Sequence, residues 1–465
     1  MRISHVSGTA VLILSLLAAQ PALRAEQKEA VVTLEEALAA AARSGPDARL
    51  SQANLAAAES QLAQARAQNG LGLAGTAAAT HSSPSSLSST PLVTTAPTDS
   101  YQAGVQLTAP LSTRVGVTAG NVLEETTPGG SLGSVTVSAS STLWDGYPGG
   151  KARAAVKQAE ISLHGAQVTD EADLKSLAFR VKQAYFSMLS AQRQLAVLID
   201  TLEIRKGELE RTQAQFDLGN VTRIDVQQAQ INQRTAELDL QAARNAIAVA
   251  RERLSGLAGW ALDRQYQAAE VPDLPVPDLD GAAAVRNALV KRADLRQLAL
   301  SRASGELTLA LKKSQVWPTV SANGSLSLTR DWSSGNTGTD WSAGLQLSVP
   351  VLDSGLTANQ VREARLRNQA LEIQQAQLAD SIATEVKNDI YSLQDLTARA
   401  ELAARNVALA QDQYELAQTQ ADMGVISTLD LLTASVTLTT ARVNLAKSRS
   451  DAQLAVLTLQ NAMGE

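Results

Sequence analysis

Two long stretches of the chain carry apolar residues at alternating steps of three and four positions. Residues 151–216 contain no proline, and their apolar stripe is Leu174, Leu177, Val181, Ala184, Met188, Ala191, Leu195, Leu198 and Leu202. A spacing that averages about 3.5 residues is typical of helices packed as coiled coils. About 65 residues at about 1.5 Å each predict a rod of roughly 100 Å. A rod of this length is typical of a structure that bridges a wide compartment.

Other stretches with the same spacing predict a second rod and two helices that return alongside the rods. The second rod repeats every seventh residue at Leu393, Ala400, Val407, Tyr414 and Ala421. The first return helix has its stripe at Ala236, Leu240, Ala243, Ile247, Ala250, Leu254 and Leu257. The corresponding positions of the second are Ala441, Leu445, Ser448, Ala452, Ala455, Leu459 and Ala462. These side chains are expected to hold helices together and to perform no chemistry.

Segments between the helices alternate apolar and small polar residues with a period of two, which predicts strands with one apolar face. In the second half the alternation runs over 320–329 and 342–351. A soluble sheet with one buried face gives the same pattern. Four of the five tryptophans border such segments, as in the aromatic girdles of membrane barrels: Trp144, Trp317, Trp332 and Trp341. We therefore favour a membrane barrel over a soluble sheet.

The chain repeats itself once. Residues 101–111 (YQAGVQLTAPL) resemble 341–351 (WSAGLQLSVPV), and residues 215–226 resemble 420–431. Two copies are too few for a solenoid, so a duplicated architecture is predicted. The predicted division is a signal peptide at 1–25, a first repeat at 26–270, a Pro-rich linker at 271–280 and a second repeat at 281–465. Barrel strands are predicted at about 71–144 and about 318–351.

About 30 residues of the first half, between 111 and 141, have no counterpart in the second. Their alternating positions predict an extra hairpin: Val115, Val117 and Ala119, then Val135, Val137 and Ala139. One half supplies too few strands to close a barrel, and open strand edges cannot lie in lipid. Several protomers are therefore expected to share one barrel. The Ser/Thr/Pro-rich residues 81–100 are predicted to be a flexible extracellular loop.

The first 25 residues have the features of a secretory signal peptide. Arg2 provides the positive start, residues 11–19 the apolar run and residues 22–25 a small-residue cleavage end. The alternative is a membrane anchor, but the apolar run is short for a bilayer. Cleavage removes Arg2 and Arg24 and changes the formal net charge from −6 to −8. This acidity, without a basic patch, argues against a nucleic-acid partner.

No residue pattern in the sequence indicates an enzyme. The chain has no cysteine, which excludes disulfides, thiol nucleophiles and a lipid-anchored N-terminal cysteine. His5, His81 and His164 are scattered, and there is no phosphate-binding glycine loop or metal-ligand spacing. We predict no catalytic residue, no metal site and no cofactor.

Several motifs together resemble the TolC-like outer-membrane efflux proteins, over essentially the whole mature chain. They are residues 33–67 (TLEEALAAAARSGPDARLSQANLAAAESQLAQARA), LWDG at 143–146, and the Gly-to-Asp turns at 219–225 and 424–430. The resemblance implies an α+β membrane protein, with a long α-helical coiled-coil barrel, a β-barrel shared between protomers and an internal two-fold repeat. It also implies a homotrimer whose twelve-stranded barrel lies in outer-membrane lipid, above a helical tunnel in the periplasm.

The same resemblance implies a passive exit channel for efflux of small molecules or for type I secretion. Such channels work with a periplasmic adaptor (membrane fusion) protein and an inner-membrane pump of the RND or ABC type. Because no site in the chain handles energy, the partner must supply it. The expected location is the outer membrane, with a large periplasmic portion.

Two turns that join long helices to return helices are the candidate gate. Gly219 and Gly424 can adopt the left-handed conformation that ends a helix, and Asp225 and Asp430 follow them. In one interpretation each aspartate stabilises the start of its return helix through capping or the helix dipole. In the other, symmetry repeats each carboxylate around the tunnel mouth. Such an acidic ring selects cations and binds multivalent ones.

The resemblance adds further roles at these turns. Similar aspartates line the tip constriction in the family, and its best-known members have a second aspartate three residues beyond the position of Asp430. Here that residue is Thr433, so a weaker ring is expected. Arg223 and Asp422 are candidates for latch contacts between neighbouring coils, where an exposed ion pair contributes about 0–1 kcal/mol. The glycine turns are also the expected surface for docking the adaptor.

Two other protein classes stay open as alternatives. A trimeric coiled-coil surface or structural protein with a barrel anchor predicts one stalk with an anchor at one chain end. Here the strand segments lie inside both halves. A periplasmic adaptor predicts one helical hairpin flanked by β-rich segments, whereas this sequence predicts two hairpins.

Overall fold

The computed structural model of the chain describes residues 30–82, 98–109, 113–124, 131–272, 274, 280–332, 334–423 and 425–465. The predicted signal peptide, most of the predicted loop at 81–100, most of the predicted linker and Gly424 lie outside these residues. Within them, each half of the chain contains a short helix, a longer helix, a very long helix and a return helix, in that order.

The helices of the two halves match in length. The first half contains α1 (Leu34–Ser44), α2 (Pro46–Ala67), α3 (Lys151–Asp217) and α4 (Arg223–Ala258), of 11, 22, 67 and 36 residues. The second half contains α5 (Gly281–Lys291), α6 (Ala293–Ser314), α7 (Leu356–Asp422) and α8 (Thr428–Ala462), of 11, 22, 67 and 35 residues. The rod predicted at 151–216 is α3, one residue longer than predicted.

The apolar stripes hold these helices together as antiparallel hairpins. Helix α3 packs along α4, α7 packs along α8, and α3 also contacts α8. The buried part of the stripe is Leu177, Val181, Ala184 and Met188 in α3, and Ala236, Leu240, Ala243, Ile247 and Leu254 in α4. Each fully buried Leu or Val side chain stabilises such packing by about 1.5–3 kcal/mol. Among the described helices, none combines the length and the apolar character needed to cross a membrane.

The strands form two sheets. A short parallel pair joins β1 (Ala30–Val32) to β6 (Tyr266–Ala268). The larger sheet contains β2 (Gly72–Ser82), β3 (Thr98–Ala109), β4 (Thr113–Glu124), β5 (Ser131–Trp144), β7 (Thr319–Asp331) and β8 (Thr337–Ser348). Its order is β2-β3-β4-β5-β7-β8, and every neighbouring pair is antiparallel.

The strand number differs from what the family resemblance implies. Twelve strands from three chains need four strands per chain, but the described residues of one chain supply six to a single sheet. The difference lies in the first half, where the residues without a counterpart form the predicted extra hairpin. Strands β4 and β5 pair from Arg114 opposite Ser140 to Leu123 opposite Ser131. The sheet of this chain therefore does not agree with a barrel of twelve strands built from three chains.

The register separates the sheet into an apolar face and a polar face. Leu107 lies opposite Val115, which lies opposite Ala139. On the other face Thr118 lies opposite Thr136, and the Thr136 hydroxyl is 3.0 Å from the Ser327 hydroxyl. Because side chains alternate along each strand, every strand contributes to both faces. Such a sheet suits an environment that is apolar on one side and aqueous on the other.

A buried tyrosine ties the small sheet to the long helices. The hydroxyl of Tyr185, on α3, lies 3.0 Å from the carbonyl oxygen of Val32 and 2.8 Å from that of Ala269. Tyr185 is completely buried in the cluster that also contains Tyr266 and Leu254. Burial raises the pKa of Tyr185, so the hydroxyl stays a donor. This contact fixes both ends of the first half against α3.

Replacing Tyr185 by Phe removes only this hydroxyl, so we expect a loss of about 1 kcal/mol of stability. The loss should appear as a lower melting temperature of the detergent-solubilised protein. Tyr391→Phe is the matched control, because Tyr391 is 66% exposed and its hydroxyl is available to water. Equal melting temperatures for both variants would show that the bond to the small sheet contributes nothing.

Candidate functional site at the two helical turns

The turn between α3 and α4 begins with a helix end that requires glycine. Gly219 has a φ of 78°, in the left-handed region. The N–H of Asn220 donates to the carbonyl of Gln215 at 2.9 Å, and that of Gly219 donates to Phe216 at 2.9 Å. These bonds satisfy carbonyls left open at a helix C-terminus, as in the Schellman motif. In the second turn the N–H of Val425 donates to Gln420 in the same way, at 2.9 Å.

A reciprocal capping box starts each return helix. In the first, the Thr222 hydroxyl and N–H both donate to Oδ2 of Asp225 at 2.7 Å, while the Asp225 N–H donates to the Thr222 hydroxyl at 3.4 Å. In the second, the Ser427 hydroxyl donates to Oδ2 of Asp430 at 2.7 Å, and the two N–H groups donate across the box at 3.2 Å. Both predicted gate aspartates therefore cap their helices.

The capping bonds also affect the charge of Asp225. The hydroxyl and then the N–H of Thr222 hold the pKa of the Asp225 carboxyl below its usual value of 3.8. Because the ionised form accepts these bonds, their stabilising effect is complete above that usual value. It is lost only as the pH falls through the lowered pKa. Asp225 is thus a carboxylate at every physiological pH, whatever else the turn does.

The structure brings the two turns together. A groove of about 570 Å³ lies between them, and its lining includes Asn220, Asp225, Ile426 and Ser427. A small cluster beneath the second turn contains Ala417, Ala421, Leu431 and Ala434. The two capping boxes therefore lie at one end of the helical hairpins.

The remaining predicted turn residues have different surroundings. Arg223 is exposed at the first position of α4. The Thr433 hydroxyl donates to the carbonyl of Leu429 at 2.9 Å, within its own helix. Asp422 ends α7, and its side chain lies outside the described part of the structure. The latch contact predicted for Arg223 and Asp422 stays a prediction.

A buried charged cluster a few turns from the tip was not predicted. Nη1 of Arg205, on α3, donates to Oε2 of Glu208 at 2.7 Å and to the hydroxyl of Ser435, on α8, at 2.6 Å. The side chain of Arg205 is 7% exposed, and Oε1 of Glu208 is buried without a hydrogen-bond partner. Burial, with a smaller effect of the nearby Glu208 carboxylate, raises the pKa of Tyr414 on α7. The cluster connects the two hairpins through side chains.

The sequence contained one signal for this cluster. The α3 stripe at Leu195, Leu198 and Leu202 continues in its alternating steps to Arg205, so a charge occupies a core position. An Arg and a Glu three residues apart on a helix usually form an exposed pair, so their spacing by itself does not indicate burial. Only the packing of α8 over α3 shows that the pair is buried.

The four tryptophans predicted to border the strands lie at different heights of the sheet. Trp144 ends β5 opposite Val320, and Trp317 precedes β7 at the same end of the sheet. Trp332 follows β7 at the other end, where the guanidinium of Arg330 lies 4.7 Å from its ring centre. Trp341 lies inside β8, opposite Leu326. All four side chains are at least 39% exposed. Side chains that contact lipid have to be exposed when a single chain is considered.

Potential metal ligands lie apart from one another in the described residues. Within those ranges no three His, Cys, Asp or Glu side chains are placed to hold a metal ion. His81 lies on β2 and His164 on α3, far apart in the element order.

These features define a class of protein before any comparison. Two long helical hairpins end in paired capped turns at one end. An amphipathic antiparallel sheet, whose two outer edges are unpaired within the described residues, lies between the helices in sequence. That combination is the protomer of an outer-membrane channel. A sequence profile described as "Outer membrane efflux protein" matches residues 112–260 and 284–465. The chain belongs to the outer membrane efflux protein family, and its location is the outer membrane, with its helices in the periplasm.

Two named relatives are similar over 71% and 64% of this chain. The outer membrane efflux protein BepC of Brucella suis is 24% identical over 339 residues, which cover 71% of this chain and 72% of BepC. The outer membrane protein TolC of Escherichia coli is 24% identical over 321 residues, which cover 64% of this chain and 63% of TolC. These matches confirm the resemblance inferred from the sequence.

Solved structures share the fold. The outer membrane protein VceC of Vibrio cholerae superposes with a TM-score of 0.71 at 20% identity, over 93% of this chain and 96% of VceC. The CmeC outer membrane channel of Campylobacter jejuni gives a TM-score of 0.73 at 16% identity, over 93% of this chain and 85% of CmeC. The predicted α+β fold of an outer-membrane channel is thereby confirmed, while the internal two-fold sequence repeat stays a prediction.

Removing the first capping hydroxyl tests the turn. Thr222→Ala should destabilise the start of α4 by about 1 kcal/mol. Hydrogen exchange read by mass spectrometry should then show the amides of Asp225 and Val226, which both bond to Thr222, exchanging about fivefold faster. Thr235→Ala is the control, because that hydroxyl bonds only to Ile231 in the middle of α4. Unchanged exchange at the tip would show that the box does not hold the turn.

Breaking the buried pair should be much more costly than removing it. Arg205→Met leaves Glu208 buried without its cation, and we expect a loss of about 3 kcal/mol. The double variant with Glu208→Leu should recover most of it, because no uncompensated charge remains. Melting temperatures of the three proteins in detergent measure this. A double variant no more stable than the single one would contradict a charge-pairing role.

Proposed function

We propose that this protein is a homotrimeric exit channel through which an efflux or type I secretion system releases its cargo. The observation that carries the proposal is the six-stranded sheet, because its outer strands β2 and β8 each leave one edge unpaired within the described residues. Unpaired backbone groups cannot lie in lipid, so copies of the chain must pair edge to edge until the barrel closes. The helical hairpins of the same copies then surround one continuous tunnel.

The channel is proposed to be passive and to depend on partners. The two repeats at 26–270 and 281–465 each supply one hairpin, and the described residues offer no cluster suited to metal chemistry. The relatives BepC and TolC are named as an efflux protein and an outer membrane protein, not as enzymes. A periplasmic adaptor and an inner-membrane pump of the RND or ABC type would supply specificity and energy. The groove between the turns is the surface where the adaptor would dock.

Symmetry gives the capping aspartates a second role in this proposal. Each carboxylate accepts the capping bonds through Oδ2, so Oδ1 takes no part in them. Three copies of Asp225 and Asp430 around one axis place six carboxylates at the tunnel mouth. Convergent negative charge attracts cations and holds multivalent ones. The capping and gating interpretations are therefore compatible, because different oxygens serve them.

Planar-bilayer recordings of the purified mature protein test the gate. We expect small, cation-selective conductance steps that millimolar divalent cation suppresses. Replacing both Asp225 and Asp430 with Asn keeps hydrogen-bond acceptors for the caps but removes the charge. We expect the double variant to bind divalent cations at least about tenfold more weakly. A carboxylate and a cation attract each other strongly when they lie close together in a narrow mouth.

Asp239→Asn serves as the control, since it removes a carboxylate from an exposed position in the middle of α4. It should leave the divalent block unchanged. Equal block in the double variant and the unmodified protein would contradict the acidic ring. Silence from a verified membrane-inserted trimer would instead mean either a tightly closed channel or a structural stalk.

A further inference from the structure

The strands absent from the second half lie in the interior of the sheet. Strand β4 pairs with β3 from Thr98 opposite Glu124 to Ala109 opposite Thr113, and with β5 along its other side. In the second half the chain passes from the end of β8 at Ser348 to the start of α7 at Leu356 with no further strand. The surplus is therefore one complete hairpin, set between strands that occur in both halves.

We propose that all six strands of each chain cross the outer membrane, so that the trimer closes an eighteen-stranded barrel. The total of eighteen strands rests on the proposed function, which supplies three copies of the chain. The claim that each chain has six membrane-spanning strands does not depend on it. The barrel encloses a wide, water-filled pore for bulky hydrophilic cargo. The narrow part of the channel then lies at the helical turns alone.

The length and position of β4 support its membrane placement. A transmembrane strand needs about 9–11 residues, and β4 and β5 contain 12 and 14. Because β4 has a neighbour on each side, it cannot leave the bilayer without exposing backbone groups of both β3 and β5 to lipid. Each unpaired group in lipid costs several kcal/mol. An edge hairpin would be free to fold away, but an interior one is not.

The side chains of β4 fit the same two environments as the rest of the sheet. Val115 is on the face that carries Leu107 and Ala139. Thr118 is on the opposite face, and its hydroxyl lies 3.4 Å from the carbonyl oxygen of Thr136. The alternation therefore continues without a shift along β4 and along β5 as far as Thr142, and the register shifts only between Thr142 and Trp144, at the end of β5. A segment lying on the extracellular surface would have no need for an apolar face in this register.

The added strands change the width of the pore. For strands about 4.8 Å apart and tilted by about 40°, the backbone radius is about 12 Å for twelve strands and about 18 Å for eighteen. Small residues are frequent on the polar face, among them Gly116, Thr136 and Ser325, although Gln106 and Gln346 lie on it as well. Barrels of about 16–18 strands leave an aqueous channel when their interior is not filled. An eighteen-stranded barrel would therefore pass cargo about one and a half times wider than a twelve-stranded barrel passes.

Single cysteines test whether β4 spans the membrane, because the natural chain has none. Thr118→Cys and Val115→Cys report the two faces of β4, and Ser327→Cys with Leu326→Cys report the two faces of β7. The trimer is reconstituted in vesicles and treated with a charged, membrane-impermeant maleimide. We expect Thr118→Cys to label as fast as Ser327→Cys, and Val115→Cys and Leu326→Cys to label at least about tenfold more slowly. Equal labelling of both β4 positions, with the contrast kept on β7, would overturn the proposal.

Native mass spectrometry of the same samples counts the copies and separates this proposal from the proposed function. A number other than three would refute the trimer, while the β4 contrast would still decide whether six strands per chain span the membrane. Three copies of the chain, together with faster labelling of Thr118→Cys than of Val115→Cys, would give eighteen strands.

A shortened chain tests the width. Deleting residues 113–140 joins the end of β3 to the end of β5, as β8 leads directly into α7. Maleimide-linked polyethylene glycols of graded size should reach Ser327→Cys in the full chain up to a radius at least about 1.5-fold larger than in the shortened one. Equal size limits would overturn the wide pore. If the shortened chain does not assemble, the cysteine contrast in the full chain still decides the strand count.

Discussion

The hydrogen-bonding requirement of backbone groups in lipid governs this structure. Six antiparallel strands satisfy one another across the sheet, but β2 and β8 each have one edge that nothing in the described chain covers. In water such edges can be tolerated, whereas in a bilayer each unpaired group costs several kcal/mol. In the proposed assembly, copies of the chain cover these edges, and the number of strands per chain sets the width of the barrel that they form.

The helical portion follows a different rule, which is close packing of small side chains. Stripes of alanine and leucine let α3 approach both α4 and α8, so the hairpins can pack side by side in a thin layer of helices. Arg205 interrupts this rule by placing a charge on the stripe, partnered by Glu208 and Ser435. An apolar seam allows helices to slide past one another, whereas a buried polar contact defines one register. The bond from Arg205 to Ser435 joins α3 of one hairpin to α8 of the other.

In the proposed channel the turns serve structure and function at once. Asp225 and Asp430 each complete a capping box through Oδ2, and the bonds from Thr222 lower the pKa of the Asp225 carboxyl. Capping also fixes the direction of each carboxylate, because Thr222 and Ser427 bond to it from a defined side. A gate built on capped carboxylates is preorganised, and this limits the entropy lost when an ion binds.

The sequence alone determined the elements of this protein, because helix and strand periods are local properties that neighbouring side chains reveal. The α3 rod, the stripe of α4, the alternating faces of β7 and the capping aspartates were all readable in this way, and the motifs at 33–67 and 143–146 identified the family. Burial of Arg205, the tie from Tyr185 to Val32 and the interior position of β4 were not readable. Each depends on which distant segment packs alongside, and that choice is made only when the whole chain excludes water and pairs its backbone.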